Sequence, residues 1–306
     1  VRAELLLRLL AATIVLVACS SVPACAARQS PVTPIAPFGP QRFGTSRQVD
    51  YGFDFQQSGN YTILNRRGDN SNSEQQCYLP ARIGLSSGLL TITAQVSTQT
   101  CSDTTNGSAS FNYSSGFIQW PTVRSFTSGT LCVRAKVAGG TGPWPAIWLL
   151  GSHCQATNSS TADNSSNCDG TVHPSGCGSG CDWPSSPDDS DEIDIAEFLN
   201  GTFTTVNQQI HANDGTNNDT GICAAQCLPT ITDASLNFHT YCLTRVAGTS
   251  LTWYIDGTQT CQKTACISSG PMGLMIDVAM GGTGGGTINN STLPQTMQVA
   301  SVTLVQ

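Results

Sequence analysis

The sequence predicts an all-β protein, a single two-sheet β-sandwich, and three observations predict it. Gly, Ser, Thr and Asn are abundant while only 11% of residues are Asp, Glu, Lys or Arg, a mix that suits short strands and turns better than helices. Apolar residues recur with a period of two between turn signals from Tyr51 onward. Beyond the N-terminal segment no amphipathic helix of three turns and no internal repeat is found. The 306 residues leave room for a sizeable core.

The strands follow in order. Leu90, Ile92, Ala94 and Val96 alternate with Leu89, Thr91, Thr93 and Gln95. Leu251, Trp253 and Ile255 form one face of a second strand, which Asp256-Gly257 turns into a hairpin. Leu274, Ile276, Val278 and Met280 form another face, and Val302 and Leu304 belong to a last strand. Residues 50–306 are thus read as one sandwich domain. Within it, residues 152–190 carry Cys154, Cys168, Cys177 and Cys181 among Ser, Asn and Gly, and read as a disulfide-stapled surface insertion. Residues 28–49, with Pro31, Pro34, Pro37 and Pro40 and no periodicity, read as an extended linker.

Residues 1–27 read as a signal peptide: Arg2 and Arg8 lead into the apolar stretch Leu9–Ala18, and Ala24-Cys25-Ala26 offers small residues for cleavage. The alternative is a lipid anchor on Cys19 in Leu16-Val17-Ala18-Cys19. Of 14 cysteines, cleavage after Ala26 leaves an even 12, and parity favours the secreted, unanchored form. In an exported chain these cysteines read as disulfides. Cys177 and Cys181, like Cys223 and Cys227, sit four apart as zinc ligands can, but no paired histidines accompany them. A net charge of −7 argues against nucleic acid and anionic membranes as partners, and no later segment is apolar enough for membrane insertion. A monomer acting on a neutral partner is expected.

The chemistry concentrates in Asp191-Glu192-Ile193-Asp194-Ile195-Ala196-Glu197-Phe198. On a strand Glu192 and Asp194 share one face and Ile193 and Ile195 the other. Strict alternation would send Glu197 into the core with Ile193, where an ionised carboxylate costs several kcal/mol or more. One extra residue, taken up as a β-bulge between Asp194 and Glu197, returns Glu197 to the Glu192 face. Three adjacent carboxylates push their proton affinities apart, so that one stays ionised as a nucleophile while another stays protonated as an acid. That division serves glycosidic bond cleavage. Two other readings of the same residues stand beside it: a calcium site, or a solvated strand face.

Glu192-Ile-Asp-Ile-Ala-Glu197 resembles the bulged signature of glycoside hydrolase family 16, the laminarinase-like β-glucanases. Gly142-Pro-Trp-Pro-Ala-Ile-Trp-Leu-Leu-Gly151 is similar to the block preceding it in that family. Asn72-Ser-Glu-Gln-Gln-Cys-Tyr78, Ser115-Gly116, Arg134-Ala-Lys136, Phe238-His-Thr-Tyr241, Trp253-Tyr-Ile-Asp-Gly257 and Pro294-Gln-Thr-Met297 fall in the family's order. The resemblance implies a jelly roll with a concave substrate cleft and a retaining, two-step hydrolysis. It makes Glu192 the nucleophile and Glu197 the general acid and then base, with Asp194 tuning both. It places Trp148 and Trp183 in the cleft, and His211 near the acid/base; core packing is the alternative for Trp148 and a structural role for His211.

The chain also departs from the family's pattern. Asp191 stands where Gly usually precedes the nucleophile, and Trp183-Pro184 lies further from Glu192 than in relatives. Phe117 stands where relatives often carry Arg, and Cys132 where Glu is usual. Ala300 replaces an Asp that commonly helps hold calcium, so neither a metal nor a cofactor is expected. The expected function is endo-hydrolysis of a β-linked polysaccharide, foremost β-1,3-glucan. The alternatives are another β-glycan such as a galactan, transglycosylation, or a non-catalytic glycan-binding module on the same fold.

Overall fold

The computed structural model describes residues 48–50, 61–70, 72–104, 106–152, 155, 190–212, 226–265 and 267–306. The expected signal peptide, most of the linker and nearly all of the 152–190 insertion lie outside the described residues. Among these residues seventeen strands follow in chain order: β1 (Gln48–Asp50), β2 (Thr62–Ile63), β3 (Arg66–Arg67), β4 (Gln76–Tyr78), β5 (Ile83–Ser86) and β6 (Leu89–Asp103) come first. Then come β7 (Gly107–Ser115), β8 (Phe117–Gln119), β9 (Gly129–Lys136), β10 (Pro143–Gly151), β11 (Ser190–Glu197) and β12 (Asn207–Ala212). β13 (His239–Val246), β14 (Ser250–Ile255), β15 (Thr258–Lys263), β16 (Met272–Met280) and β17 (Gln295–Val305) complete the set. The α-helix among the described residues is a single turn, Gly282–Gly285.

The strands form the two sheets expected. One has six strands in the order β12-β11-β10-β16-β8-β2, and the other runs β15-β14-β13-β9-β17-β6-β7-β4-β3, with β1 on β17 and β5 on β6. Among the described residues only β4 and β7 pair in parallel. A continuous apolar cluster joins Leu131, Val133, Tyr241, Leu243 and Trp253 of the larger sheet to Ile147, Leu149, Ile193 and Ile276 of the smaller. These are alternate residues of their strands, so each strand gives one face to the core and leaves the other for water or a ligand.

The alternation read from sequence holds for Leu251, Trp253 and Ile255, all buried, and for Val302 and Leu304. Asp256 and Gly257 both have positive φ, 50° and 81°, as the tight hairpin turn between β14 and β15 requires. Two boundaries need correction. Val96 shares the face of Leu90, Ile92 and Ala94 but is 49% exposed and not a core residue, because it lies beyond Ala94, where the pairing of β6 with β17 ends. The sandwich also starts earlier than residue 50. β6 covers only Gln295–Val299 of β17, and β1 lies along Thr303–Val305, so Gln48 and Val49 belong to the sheet and not to the linker.

Disulfides join Cys77 to Cys101, Cys132 to Cys242 and Cys227 to Cys261. Cys227 is thereby a disulfide partner, and the metal reading of its spacing from Cys223 fails. Cys132, where Glu is usual in the family, crosslinks directly paired residues of β9 and β13.

Candidate active site

The bulge is present. Against β10, Ile147 pairs with Ala196 and Trp148 with Asp194, so β11 uses one residue more than its neighbour. Against β12, Asp194 faces Gln209 and Glu197 faces Asn207, three steps on β11 for two on β12. The chain folds so because Ile193, Ile195 and Ala196 all sit in the core, and the extra inward residue turns Glu197 outward beside Glu192 and Asp194. The core also pins the bulge. The Trp253 indole of the opposite sheet donates to the Asp194 carbonyl at 2.8 Å, and Gln208 donates to the Ile195 carbonyl at 3.4 Å.

Glu197 is held at both carboxyl oxygens. Trp144 Nε1 donates to its Oε1 at 2.7 Å, and Asn207 Nδ2 donates to its Oε2 at 2.5 Å. Both bonds favour the carboxylate, as does His211, yet burial and the nearby Asp194 charge outweigh them and raise its pKa from 4.5 to about 7. Trp144 reaches this position because residue 284 is glycine: a methyl there would lie 2.1 Å from Trp144 Cε2.

His211 Nε2 lies 3.0 Å from Asp194 Oδ2 and 3.6 Å from Glu192 Oε1. These three side chains form the one group of metal-compatible residues among those described, within 4.8 Å of one another. Direct hydrogen bonding between His211 and Asp194 accounts for that spacing, and nothing beyond proximity marks the group as a metal centre.

The three acids open into a cleft of about 380 Å³. It is lined by alternate residues of four strands: Trp144, Ala146, Trp148 and Leu150 of β10; Glu192, Asp194 and Glu197 of β11; Asn207, Gln209 and His211 of β12; Asp277 and Ala279 of β16. A second acid pair, Glu74 and the buried Asp277, stands across the cleft. The Tyr78 hydroxyl lies 3.0 Å from Glu74 Oε2 and 3.1 Å from Asp277 Oδ2. Burial, then the Asp69 charge, raises the Glu74 pKa, and burial, then Asp277 and Glu74, raises that of Tyr78. Trp148 Nε1 donates to Asp277 Oδ1 at 2.9 Å, which orients this indole in the cleft. The Arg66 guanidinium sits 5.3 Å from the Phe117 ring centre. Position 117 is thus apolar, and a cation from β3 lines the same cleft.

Of the residues singled out from sequence, Glu192, Asp194, Glu197, Trp148 and His211 meet here. Trp148 serves the cleft and not the deep core. Trp183 and the Asp191 side chain lie outside what is described. Trp144, Asn207, Glu74, Tyr78 and Asp277 were missed as site residues. Period-two counting back from Trp148 and His211 reaches Trp144 and Asn207; no local signal marks Asp277, which sits in an apolar strand.

Residues 172–298 match the family model described as Glycosyl hydrolases family 16. The chain is 28% identical over 199 residues to the endo-1,3-1,4-beta-glycanase EglC of Rhizobium meliloti, covering 65% of this chain and 34% of that protein. It thus spans about a third of this relative's length. Its fold is similar to that of LamAcat from Zobellia galactanivorans, with a TM-score of 0.63 and 24% identity over 81% of this chain and 90% of that one. The laminarinase catalytic domain of Thermotoga maritima is similar at a TM-score of 0.64 and 20% identity, over 85% and 96%.

Proposed function

We infer that this chain belongs to glycosyl hydrolases family 16 and is a retaining endo-hydrolase of β-linked polysaccharide, with β-1,3-glucan as its substrate. The observation that carries the reading is Glu197: a buried carboxyl whose proton affinity is raised to about 7, turned by a bulge onto the face that Glu192 occupies. A group with that affinity holds a proton at neutral pH and can give it up. In the first step Glu192 attacks the anomeric carbon while Glu197 passes its proton to the departing glycosidic oxygen, leaving a glycosyl ester on Glu192. In the second, ionised Glu197 takes a proton from water, whose oxygen attacks the same carbon and frees Glu192. Asp194 and His211, 3.0 Å apart, stand beside both glutamates.

The cleft supports a neutral polysaccharide. Trp144, Trp148, Phe117 and Tyr78 offer aromatic faces to sugar rings. Among the described lining residues Arg66 is the one Lys or Arg, against six carboxylates, which disfavours sulfated galactans. The names of the relatives, an endo-1,3-1,4-beta-glycanase and a laminarinase, support β-1,3-glucan as the first choice. A non-catalytic binding module has no need for a buried acid at the affinity of Glu197. The three disulfides among the described residues fit an oxidising compartment. No helix among the described residues is long and apolar enough to cross a membrane. Export through residues 1–27 completes the proposal, with a lipid anchor at Cys19 as the alternative.

The test is incubation with laminarin, mixed-linkage β-glucan, agarose and carrageenan, reading new reducing ends. Laminarin should be cut, and proton NMR of the early mixture should show the β anomer before mutarotation. Release of the α anomer would exclude retention, and no reducing ends from any substrate would exclude the hydrolase.

A further inference from the structure

We propose that Asn207 is a positioning residue for Glu197, its amide locked so that the amino group and never the carbonyl faces the catalytic carboxyl. The inference rests on the reading of Glu197 as acid/base. Asn207 Nδ2 donates to Glu197 Oε2 at 2.5 Å and, more weakly, towards Gln209 Oε1 at 3.4 Å. Gln209 Oε1 also accepts from Gln226 Nε2 at 2.7 Å. Ionised Glu197 can only accept, and that sets the direction of the relay. Turning the Asn207 amide over would set its oxygen against the Gln209 oxygen on one side and a Glu197 oxygen on the other.

The Asn207 carbonyl oxygen meanwhile has no partner and is buried, in a residue only 4% exposed. Buried amide oxygens are ordinarily satisfied. A residue kept only for packing would be replaceable by an apolar side chain of the same shape without that penalty. The amide instead gives up a bond at its oxygen and keeps its N–H groups on the acid. Those N–H groups favour the carboxylate form, in opposition to burial and Asp194, and so keep the proton transferable. The other charged groups around Glu197 are Asp194 and Glu192 on β11, His211 on β12, and Asp277 on β16, which pairs with Ala146 opposite Glu197. None of them changes with a substitution at 207.

The experiment is the pH profile of kcat/KM on laminarin for wild type, Asn207→Leu, Asn207→Asp and Glu197→Gln, with circular dichroism to confirm folding. The basic limb reports the acid in the free enzyme. Asn207→Leu removes the donor and should move that limb upward by about one pH unit. Asn207→Asp removes the donor and adds a like charge, so its limb should move further. Both should lower kcat by on the order of tenfold, with KM changed less. Should the Leu variant fail to fold, Asn207→Ala, which removes the donor and adds no charge, decides in its place. A limb left at its wild-type position, or moved down, overturns the inference while loss of activity in Glu197→Gln upholds the acid/base assignment. Wild-type activity and profile in Glu197→Gln would instead overturn the assignment itself.

Discussion

Replacing Glu197 by Gln should make the protein more stable at pH 8 while it abolishes the proposed activity. An unfolded glutamic acid loses its proton near 4.5, whereas folded Glu197 holds it to about 7. The folded state therefore binds the proton more tightly. Its stabilising effect is fully present below pH 4.5, declines as pH rises, and is lost above about 7. At about 1.4 kcal/mol per tenfold difference in proton affinity, the interval from 4.5 to about 7 amounts to about 3 kcal/mol of stability lost. Gln carries no charge at any pH and avoids that loss. Denaturant unfolding of wild type and Glu197→Gln should give similar free energies at pH 4 and a variant ahead by about 2–3 kcal/mol at pH 8. A difference between the two proteins that does not change with pH would refute the reasoning, because the buried ionised carboxylate would then not be the source.

Glu192→Gln should leave the fold intact and reduce kcat on laminarin by at least about 10³-fold, while Asp194→Asn should cost about 10–100-fold, because it alters proton sharing and not the bond-making group. Steady-state kinetics with a thermal melt on each variant checks both. Gly284→Ala should drive the Trp144 ring back from its 2.1 Å overlap and break its 2.7 Å bond to Glu197. The expected reading is an upward shift of the basic limb of the pH profile by about one unit, since a donor to the carboxylate is lost. Thiol titration of the unfolded, unreduced protein, freed of residues 1–26, should find at most one free thiol, which extends the disulfide reading to Cys154, Cys168, Cys177, Cys181, Cys223 and Cys266.

The sandwich was legible in the sequence because a half-buried strand must alternate: Trp253 and Ile255, Val302 and Leu304 could only face inward. The bulge was legible for the same reason turned around. Ile193 belongs in the core and Glu197 does not, and one extra residue is the smallest correction that satisfies both. The sequence by itself thus determined the fold class, the three carboxylates and the face they share. It could not determine what surrounds them. Trp144 meets Glu197 only because Gly284, 140 residues along the chain, leaves room for the ring. Asp277 looks like a misplaced charge in Met272–Met280 until folding brings the Trp148 indole and the Tyr78 hydroxyl to it. Whether Glu197 holds its proton depends on burial, on Asp194, and on opposing donors from β10 and β12. Proton affinity is a balance of solvation and nearby charge at one point in space, and only the tertiary structure assembles that point.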